Sequence, residues 1–208
     1  KRPQPKYLDH WLYDAADLLE VQKLLSRNTA VLSTERLLLR KMTAADAKPL
    51  DAVLGDPEVM KYYPAPFDQA KVRNWIAVNQ ERYRHFGFDL WSVVLKSAGQ
   101  VIGDCGLTIQ YINGILKPEI GCHIRKDCRK QGCGKEADCA VWDCFFENTP
   151  FQRAFSCMKS GNEASKATAK SMGMQLMEEY TDAEQKPVSV YEIARDEWTE
   201  LKKQCHGS

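Results

Sequence analysis

The chain reads Arg129-Lys130-Gln131-Gly132-Cys133-Gly134-Lys135 between an alternating, strand-like segment and a helical one. The strand-like segment spans residues 119–125, and the helical pattern spans residues 136–146. A glycine-containing turn from a strand into a helix exposes backbone N–H groups at the positive end of the helix dipole, which favours a bound phosphate or pyrophosphate. Two basic side chains at the start of the turn add positive charge. The stretch therefore predicts a site for a ligand that carries phosphate groups.

Two common phosphate-binding motifs do not fit this stretch. A P-loop requires a serine or threonine after its Gly-Lys pair, and here Glu136 follows Lys135. A dinucleotide fingerprint requires a third glycine, and Ala137 occupies its place. These departures argue against a P-loop nucleotide hydrolase and against a dinucleotide site. An ordinary helix start with a tight turn is the structural alternative.

The composition restricts the class of function. The 208 residues suffice for one domain plus an extension, and the net charge of +1 gives no field that would attract nucleic acid or an anionic membrane. No apolar run approaches the roughly 20 residues of a membrane span. The eight cysteines include no Cys-x-x-Cys pair. We therefore expect reduced thiols, no metal site and a cytoplasmic location.

Residues 1–32 indicate a helical extension in front of a domain over residues 33–208. Apolar residues recur there at helical spacing, namely Leu8, Trp11, Leu12, Ala15, Leu18, Leu19 and Leu25. We expect this helix to pack on the domain or on a second copy of the chain, which would give a homodimer.

The order of predicted elements in the domain indicates the α/β class, with a mixed sheet and helices on both faces. Strands are predicted at 35–40, 90–95, 101–111, 118–125, 151–158 and 188–194, the last as one of a pair. Helices are predicted from Thr43 onward and over 68–86, 132–147 and 162–173. Asn113-Gly114 predicts a two-residue hairpin between the third and fourth strands.

Five of these segments also follow a familiar order: 34–40, 56–60, 102–107, 119–134 and 162–173. With residues 191–198, they resemble the GNAT acyl-CoA N-acyltransferases, in the RimJ/RimL-like branch that includes ribosomal-protein N-terminal acetyltransferases. The resemblance covers about residues 33–198. It implies a mostly antiparallel central sheet whose fourth and fifth strands splay apart.

The resemblance also implies acetyl-CoA as a co-substrate, with no metal. The pyrophosphate would lie on the loop of residues 129–135, where Lys135-Glu136-Ala137 departs from the usual continuation and suggests a shifted helix start. The pantetheine would pair with the backbone of the fourth strand at Ile120, Cys122 and Ile124. The helix start at Asn162 and Ser165 would hold the cofactor arm.

The implied reaction is transfer of an acetyl group to an amine, which must first lose a proton. The resemblance places a carboxylate base at Glu119, and its structural alternative is a solvated strand-end residue. The other candidates are an ordered water, His123, which shares a strand face with Glu119, and Asp104. The resemblance places Ser165 near the thiol, where it would assist the leaving thiolate, and its structural alternative is an ordinary serine in the first turn of a helix. Ala169 stands where many other GNAT branches carry a tyrosine acid.

The acceptor amine is either a peptide N-terminus or a small molecule. Several residues, nearly all aromatic, could line an acceptor groove or could instead pack in the core. They are Tyr62, Tyr63, Pro64, Phe67, Phe86, Phe88 and Trp91. A second class of function is an acyl-CoA sensor or structural module with the same fold and little turnover.

Overall fold

The computed structural model describes residues 32–206, with side chains up to Lys203, so the predicted N-terminal helix lies outside the described residues. The strands are β1 (Leu32–Ser33), β2 (Leu37–Arg40), β3 (Leu90–Leu95), β4 (Gln100–Ile112), β5 (Ile115–Ile124), β6 (Arg153–Lys159), β7 (Gln175–Thr181) and β8 (Pro187–Ala194). The helices are α1 (Ala47–Leu54), α2 (Gln69–Phe86), α3 (Cys133–Asn148), α4 (Glu163–Ser171) and α5 (Arg195–His206). Short 3-10 turns cover Ala44–Asp46 and Lys126–Cys128.

The strands form one sheet in the order β1-β2-β3-β4-β5-β6-β8-β7. Every neighbouring pair is antiparallel except β5 and β6, which are parallel and share the single register pair Glu119 and Phe155. Because β1 is an additional strand of two residues, the strands predicted as fourth and fifth are β5 and β6. The predicted mixed sheet, with a splay at this position, is confirmed.

The β4–β5 hairpin forms at the predicted turn. Asn113 and Gly114 both have positive φ, +46° and +82°, and Ile112 pairs with Ile115 across them. Positive φ at both central residues is the requirement of a type I′ turn, which matches the twist of the flanking strands. The tight turn starts β5 at Ile115, three residues earlier than the strand predicted from residue 118.

Helices cover both faces of the sheet. The side chain of Asp104 contacts Trp75 of α2, whereas that of the next residue, Cys105, contacts Asp138 of α3. Since successive side chains of a strand point to opposite faces, α2 and α3 lie on opposite sides of β4. The largest fully buried side chains include Trp91, Trp142, Phe145 and Phe151, so the core is aromatic-rich.

Two elements were not placed by the sequence. The sequence predicts the second strand of the final pair, β7, without bounds, and it indicates the start of α5 only through the family resemblance of residues 191–198. β7 is an exposed edge strand with a register shift between Leu176 and Glu178, which breaks the two-residue alternation that identifies a strand.

Candidate functional site

The predicted phosphate loop joins β5 to α3. The helix predicted over residues 132–147 is observed at Cys133–Asn148, so Gly134 and Lys135 lie in its first turn. Within residues 32–206, the backbone N–H groups from Lys130 to Lys135 have no hydrogen-bond acceptor. The first N–H groups of a helix lack partners inside the helix, and here they form a continuous run of free donors. This arrangement suits an anionic ligand.

Arg36, on the loop before β2, fixes the shape of this turn. Its Nη1 donates to the Gln131 carbonyl at 2.7 Å, and its Nε donates to Glu136 Oε2 at 2.6 Å. Glu136 Oε1 also accepts from the Arg36 backbone N–H at 2.9 Å and from the Thr34 hydroxyl. Burial acts to raise the pKa of Glu136, but these contacts lower it on balance. The carbonyl side of the loop is therefore occupied, while its N–H side is free.

Only one of the two loop glycines needs to be glycine for the backbone conformation. Gly132 caps α3 with φ of +79°, and a Cβ there would lie 3.2 Å from Arg36 Nη2. A Cβ at Gly134 would meet only Ile124 Cγ1, at an ordinary 3.6 Å, and its φ is not in the left-handed range. At Gly134, space for a ligand is therefore the remaining reason for a glycine.

The side chains of the loop are partly committed to the protein. Arg129 Nε donates to the Ile124 carbonyl at 3.0 Å, and Gln131 Nε2 donates to the Asp127 carbonyl at 2.7 Å. Lys135 Nζ donates to the Ser171 carbonyl at 3.2 Å, which ties α3 to α4. Cys133 is buried, so it can offer a ligand only its backbone. Lys130, at φ of +58°, is exposed.

The edge of β5 that faces β6 continues from this loop. Arg125 N–H donates to the Ile102 carbonyl in β4 at 2.8 Å. Because backbone groups alternate between the two edges of a strand, those of Ile120, Cys122 and Ile124 point toward β6. Past the pair of Glu119 with Phe155, no residue of β5 has a register partner in β6. This edge is the predicted place for an extended ligand arm.

Glu119 lies at the point where the two strands separate. Its Oε1 accepts the backbone N–H of Cys157 at 3.0 Å, a donor that would reach β5 if the parallel ladder continued. Burial raises the pKa of Glu119 to about 7, against the lowering effects of the Cys157 N–H and of His123. The carboxyl therefore titrates near neutral pH, which suits a group that accepts and releases a proton.

A chain of hydrogen bonds runs beside Glu119, on the face of the sheet that carries α2. Asp104 Oδ1 lies 2.7 Å from His123 Nδ1, and Asp104 Oδ2 accepts from Trp75 Nε1 at 2.9 Å. His123 Nε2 lies 2.6 Å from the Tyr63 hydroxyl. Burial acts to lower the pKa of His123, but the opposing effect of Asp104 is larger. The net pKa is therefore above its ordinary value. The sequence alone identifies His123 and Asp104 as separate candidates and does not predict this hydrogen bond between them.

The start of α4 follows the end of β6, the strand that separates from β5. Asn162 Oδ1 accepts the Ser165 N–H at 3.3 Å, which is the predicted cap. Tyr62 Oη donates to the Gly161 carbonyl at 2.7 Å, and so connects the α1–α2 loop to this turn. Ser165 is half-buried, and among the described residues its hydroxyl has no hydrogen-bond partner. Ala169 is buried, so this helix offers no phenol at that position.

The candidate groove aromatics divide into two groups. Tyr63 is exposed beside His123, and Phe67 packs edge-on against Trp75 with ring centroids 5.6 Å apart. Phe88 and Trp91 are buried in the core, so they pack in the protein interior and do not line a groove. Phe86 is half-exposed at the end of α2.

A polar cluster lies on the other face of β5. The ligand-type atoms of Cys105, Cys122 and Asp138 are within 4.8 Å of one another, and Cys105 Sγ donates to Asp138 Oδ1 at 3.2 Å. Burial raises the pKa of Asp138, and the hydrogen bonds from the two thiols act to lower it. The net pKa is about 7. Soft metal ions accept these donor types, but binding would require deprotonation of the thiols. The described cysteines, residues 105 to 157, are free thiols.

No helix within residues 32–206 combines the length and the apolar composition that crossing a bilayer would require.

Comparison with known proteins agrees with this geometry. The pattern of the acetyltransferase (GNAT) domain matches residues 36–175. The chain is 32% identical to the Bacillus subtilis uncharacterized protein YkkB, over 77% of this chain and 94% of that protein. It is 31% identical to the uncharacterized N-acetyltransferase p20 of Bacillus licheniformis, over 77% of this chain and 92% of that protein.

Among solved structures, the fold is similar to that of RimL, a ribosomal L7/L12 alpha-N-protein acetyltransferase in complex with coenzyme A. The TM-score is 0.67 at 17% identity, over 79% of this chain and 98% of the other. The match of the domain pattern over most of the chain, with its relatives above 30% identity, shows the family. The chain belongs to the GNAT family and is an acetyltransferase.

Proposed function

We propose that this acetyltransferase moves an acetyl group from acetyl-CoA to a primary amine by direct attack, with both substrates bound at once. The proposal rests on the position of the free loop N–H groups relative to the edge of β5. The free N–H groups of residues 130–135 lie at the end of the same β5 edge that has no partner in β6. An anionic pyrophosphate and an extended amide-bearing arm would meet these two features in the order in which they occur in coenzyme A.

The residues proposed to hold the cofactor act mainly through their backbone. The pyrophosphate would accept hydrogen bonds from the run of residues 130–135, with positive charge from Arg129 and Lys130. The pantetheine amides would pair with the β6-facing backbone edge of β5 at Ile120, Cys122 and Ile124, as an added strand does. Asn162 would hold the start of α4 beside the arm.

Glu119 is the proposed base for the ammonium group of the acceptor. Its carboxyl lies where β5 and β6 separate. Its pKa of about 7 lets it be ionised before the reaction and protonated afterwards. A positioned base of this kind contributes roughly 10²–10⁴-fold to the rate. Ser165, with its uncommitted hydroxyl, is proposed to donate a hydrogen bond to sulfur as negative charge develops there.

The acceptor class is proposed to be a peptide N-terminus or a small amine, as in the RimJ/RimL-like branch. The structural neighbour RimL is titled as an acetyltransferase of a protein N-terminus. The cytoplasmic location and a homodimer through residues 1–32 remain predictions.

The test combines two measurements on the full chain. Calorimetry gives the affinity for CoA, and an assay of CoA release with acetyl-CoA covers a panel of amines and of dipeptides that differ in their first residue. The proposal expects CoA binding and acceptor-dependent release of CoA. Binding without turnover of any acceptor would favour the alternative, an acyl-CoA-binding module with the GNAT fold. Absence of CoA binding would overturn both.

A further inference from the structure

We propose that Tyr63, His123 and Asp104 form a second proton-accepting group in this site, in which the Tyr63 hydroxyl is the atom that meets the acceptor amine. This inference rests on the proposed function and deepens it, because it assigns the substrate's second proton to named atoms.

The hydrogen-bond directions in the chain follow from the groups themselves. Both oxygens of Asp104 face N–H donors, Trp75 Nε1 at 2.9 Å and His123 Nδ1 at 2.7 Å, so this carboxylate acts as an acceptor. The proton of a neutral His123 therefore sits on Nδ1, which leaves the lone pair on Nε2. The Tyr63 hydroxyl, 2.6 Å from Nε2, then donates to it. The phenol oxygen keeps its lone pairs for a donor that approaches from outside.

The exposure of the three side chains decreases along the chain in the order that a relay from substrate to interior needs. Tyr63 is 43% exposed. The side chain of His123 is 12% exposed, and that of Asp104 is fully buried. Only Tyr63 can therefore reach an external substrate, and the carboxylate stays dry, where its interaction with an imidazolium is strongest.

Tyr63 and His123 share their surroundings with Glu119. The charges of Asp104 and Glu119 add to burial in raising the pKa of Tyr63. Glu119 also acts on His123, raising its pKa, while Arg129 lowers it. Glu119 and His123 also lie four residues apart on the same face of β5, so both candidate acceptors face the same side of the sheet. The two acceptors belong to one site although they come from β5 and from the α1–α2 loop.

The reaction removes two protons from the acceptor nitrogen. An acceptor amine arrives as an ammonium ion with three protons on nitrogen and leaves as an amide with one. Glu119 takes the first proton, which frees the lone pair that forms the bond between nitrogen and the acetyl carbon. As the carbon–sulfur bond breaks, the second proton passes from nitrogen to the Tyr63 oxygen while the Tyr63 proton moves to His123 Nε2. One of the two protons then goes to the thiolate to complete CoA, and the other goes to water.

Asp104 and Trp75 act through His123 and are positioning residues. Asp104 holds the imidazole in the Nδ1–H form and stabilises the imidazolium that results. Trp75 fixes the second carboxylate oxygen, and the Trp75 ring also packs edge-on against the imidazole at 6.4 Å between centroids. A relay of this type uses the neutral imidazole, so turnover should rise with pH through the His123 titration. The charged or titratable neighbours of that imidazole are Tyr63, Asp104, Glu119 and Arg129.

The first experiment compares Tyr63→Phe with Tyr111→Phe, a matched change at an exposed tyrosine on the β4–β5 hairpin. Steady-state kinetics with an acceptor found for the wild type should show a kcat about 10- to 100-fold lower for Tyr63→Phe. Its KM for acetyl-CoA should be unchanged, and Tyr111→Phe should match the wild type. A wild-type kcat in Tyr63→Phe would overturn the relay and leave the proposed function intact. A wild type that binds CoA and acetylates no amine would overturn both proposals.

The second experiment reads His123 directly and needs no acceptor. Nitrogen-15 NMR of labelled histidine should show the Nδ1–H tautomer, with resonances that change in Tyr63→Phe and stay constant in Tyr111→Phe. Asp104→Asn keeps an acceptor oxygen but loses the charge, so it should lower the pKa of His123. The rising limb of the pH–rate profile should then move to lower pH. An Nε2–H tautomer, or an unmoved His123 pKa in a folded Asp104→Asn protein, would overturn the relay.

Discussion

The Glu119 carboxylate accepts the backbone N–H of Cys157 at 3.0 Å, at the last point where β5 and β6 are still joined. The side chain thus occupies a position that a backbone carbonyl would fill in a continuous sheet. A residue proposed as the base of the reaction also satisfies a structural donor. The two roles can be separated because a neutral amide side chain keeps the acceptor oxygen and loses the basicity.

The pair Glu119→Gln and Glu119→Ala tests this separation. Glu119→Gln should lower kcat by about 10-fold or more, with CoA affinity and stability close to the wild type. Glu119→Ala should also lose roughly 1 kcal/mol of stability, because the Cys157 N–H loses its acceptor. Kinetics across pH and thermal unfolding measure the two effects. A wild-type pH–rate profile in Glu119→Gln would remove this carboxylate from the mechanism.

Gly132 and Gly134 should respond differently to alanine. Gly132→Ala forces a Cβ into a left-handed backbone, at a cost of about 1–2 kcal/mol, and should weaken CoA binding. Gly134→Ala meets only an ordinary contact with Ile124, so the protein should keep its stability. Any loss of CoA affinity there would then report the approach of the ligand itself. Calorimetry with CoA, alongside thermal melts, distinguishes the two cases. Equal CoA affinity in folded Gly132→Ala and wild-type protein would contradict the pyrophosphate assignment.

Ser165 and Asn162 should separate chemistry from structure at the start of α4. Ser165→Ala should cost roughly 1–3 kcal/mol in the transition state, the value of one hydrogen bond to a charged group, with little change in CoA affinity. Asn162→Ala removes a long cap of 3.3 Å and should lose about 0.5–1 kcal/mol of stability together with some CoA affinity. Single-turnover acetyl transfer at saturating acetyl-CoA decides the matter. If Ser165→Ala reacts at the wild-type rate, thiolate stabilisation comes from backbone amides or water.

Asp138 should make the folded protein less stable as pH rises toward neutral. Burial raises its pKa from 3.8 to about 7, so the folded state binds this proton more tightly than the unfolded state does. The resulting stabilisation is fully present below about pH 4 and is lost as pH rises through about 7, with a size on the order of a few kcal/mol. Denaturant titrations of the wild type and Asp138→Asn at pH 5 and pH 8 measure the difference. The amide variant should gain relative stability at pH 8. A constant difference at the two pH values would show that the carboxyl titrates normally.

The sequence predicted those features that depend on local pattern. The Asn113-Gly114 turn, the cap at Asn162 and the glycine loop before α3 are each encoded by neighbouring residues, and the structure places all three as expected. Helix α3, predicted over residues 132–147, is observed at Cys133–Asn148. β7 lacked a period because of its register shift.

The contacts that complete the candidate site depend on the tertiary fold. Tyr63 reaches His123 across 60 positions of sequence, and Arg36 reaches Gln131 across 95. A single tyrosine in a loop, or an arginine before a strand, carries no periodic or spacing signal of such a contact. The sequence therefore identified candidate acids and bases one at a time, and only the packing of α2 and the α1–α2 loop on β5 joined them.

A single register pair joins the two parts of the sheet, at β5 and β6. β1 to β5 form one, and β6, β8 and β7 form the other. Helix α3 joins them, since it packs on β5 and its Trp142 and Asp143 contact Trp198 of α5. A ligand that pairs with the free edge of β5 would act as the missing strand of the interface. Bound CoA should therefore slow amide hydrogen exchange along β5 and β6 more than elsewhere. The cofactor would then stabilise the sheet, in addition to carrying the acetyl group when it is bound as acetyl-CoA.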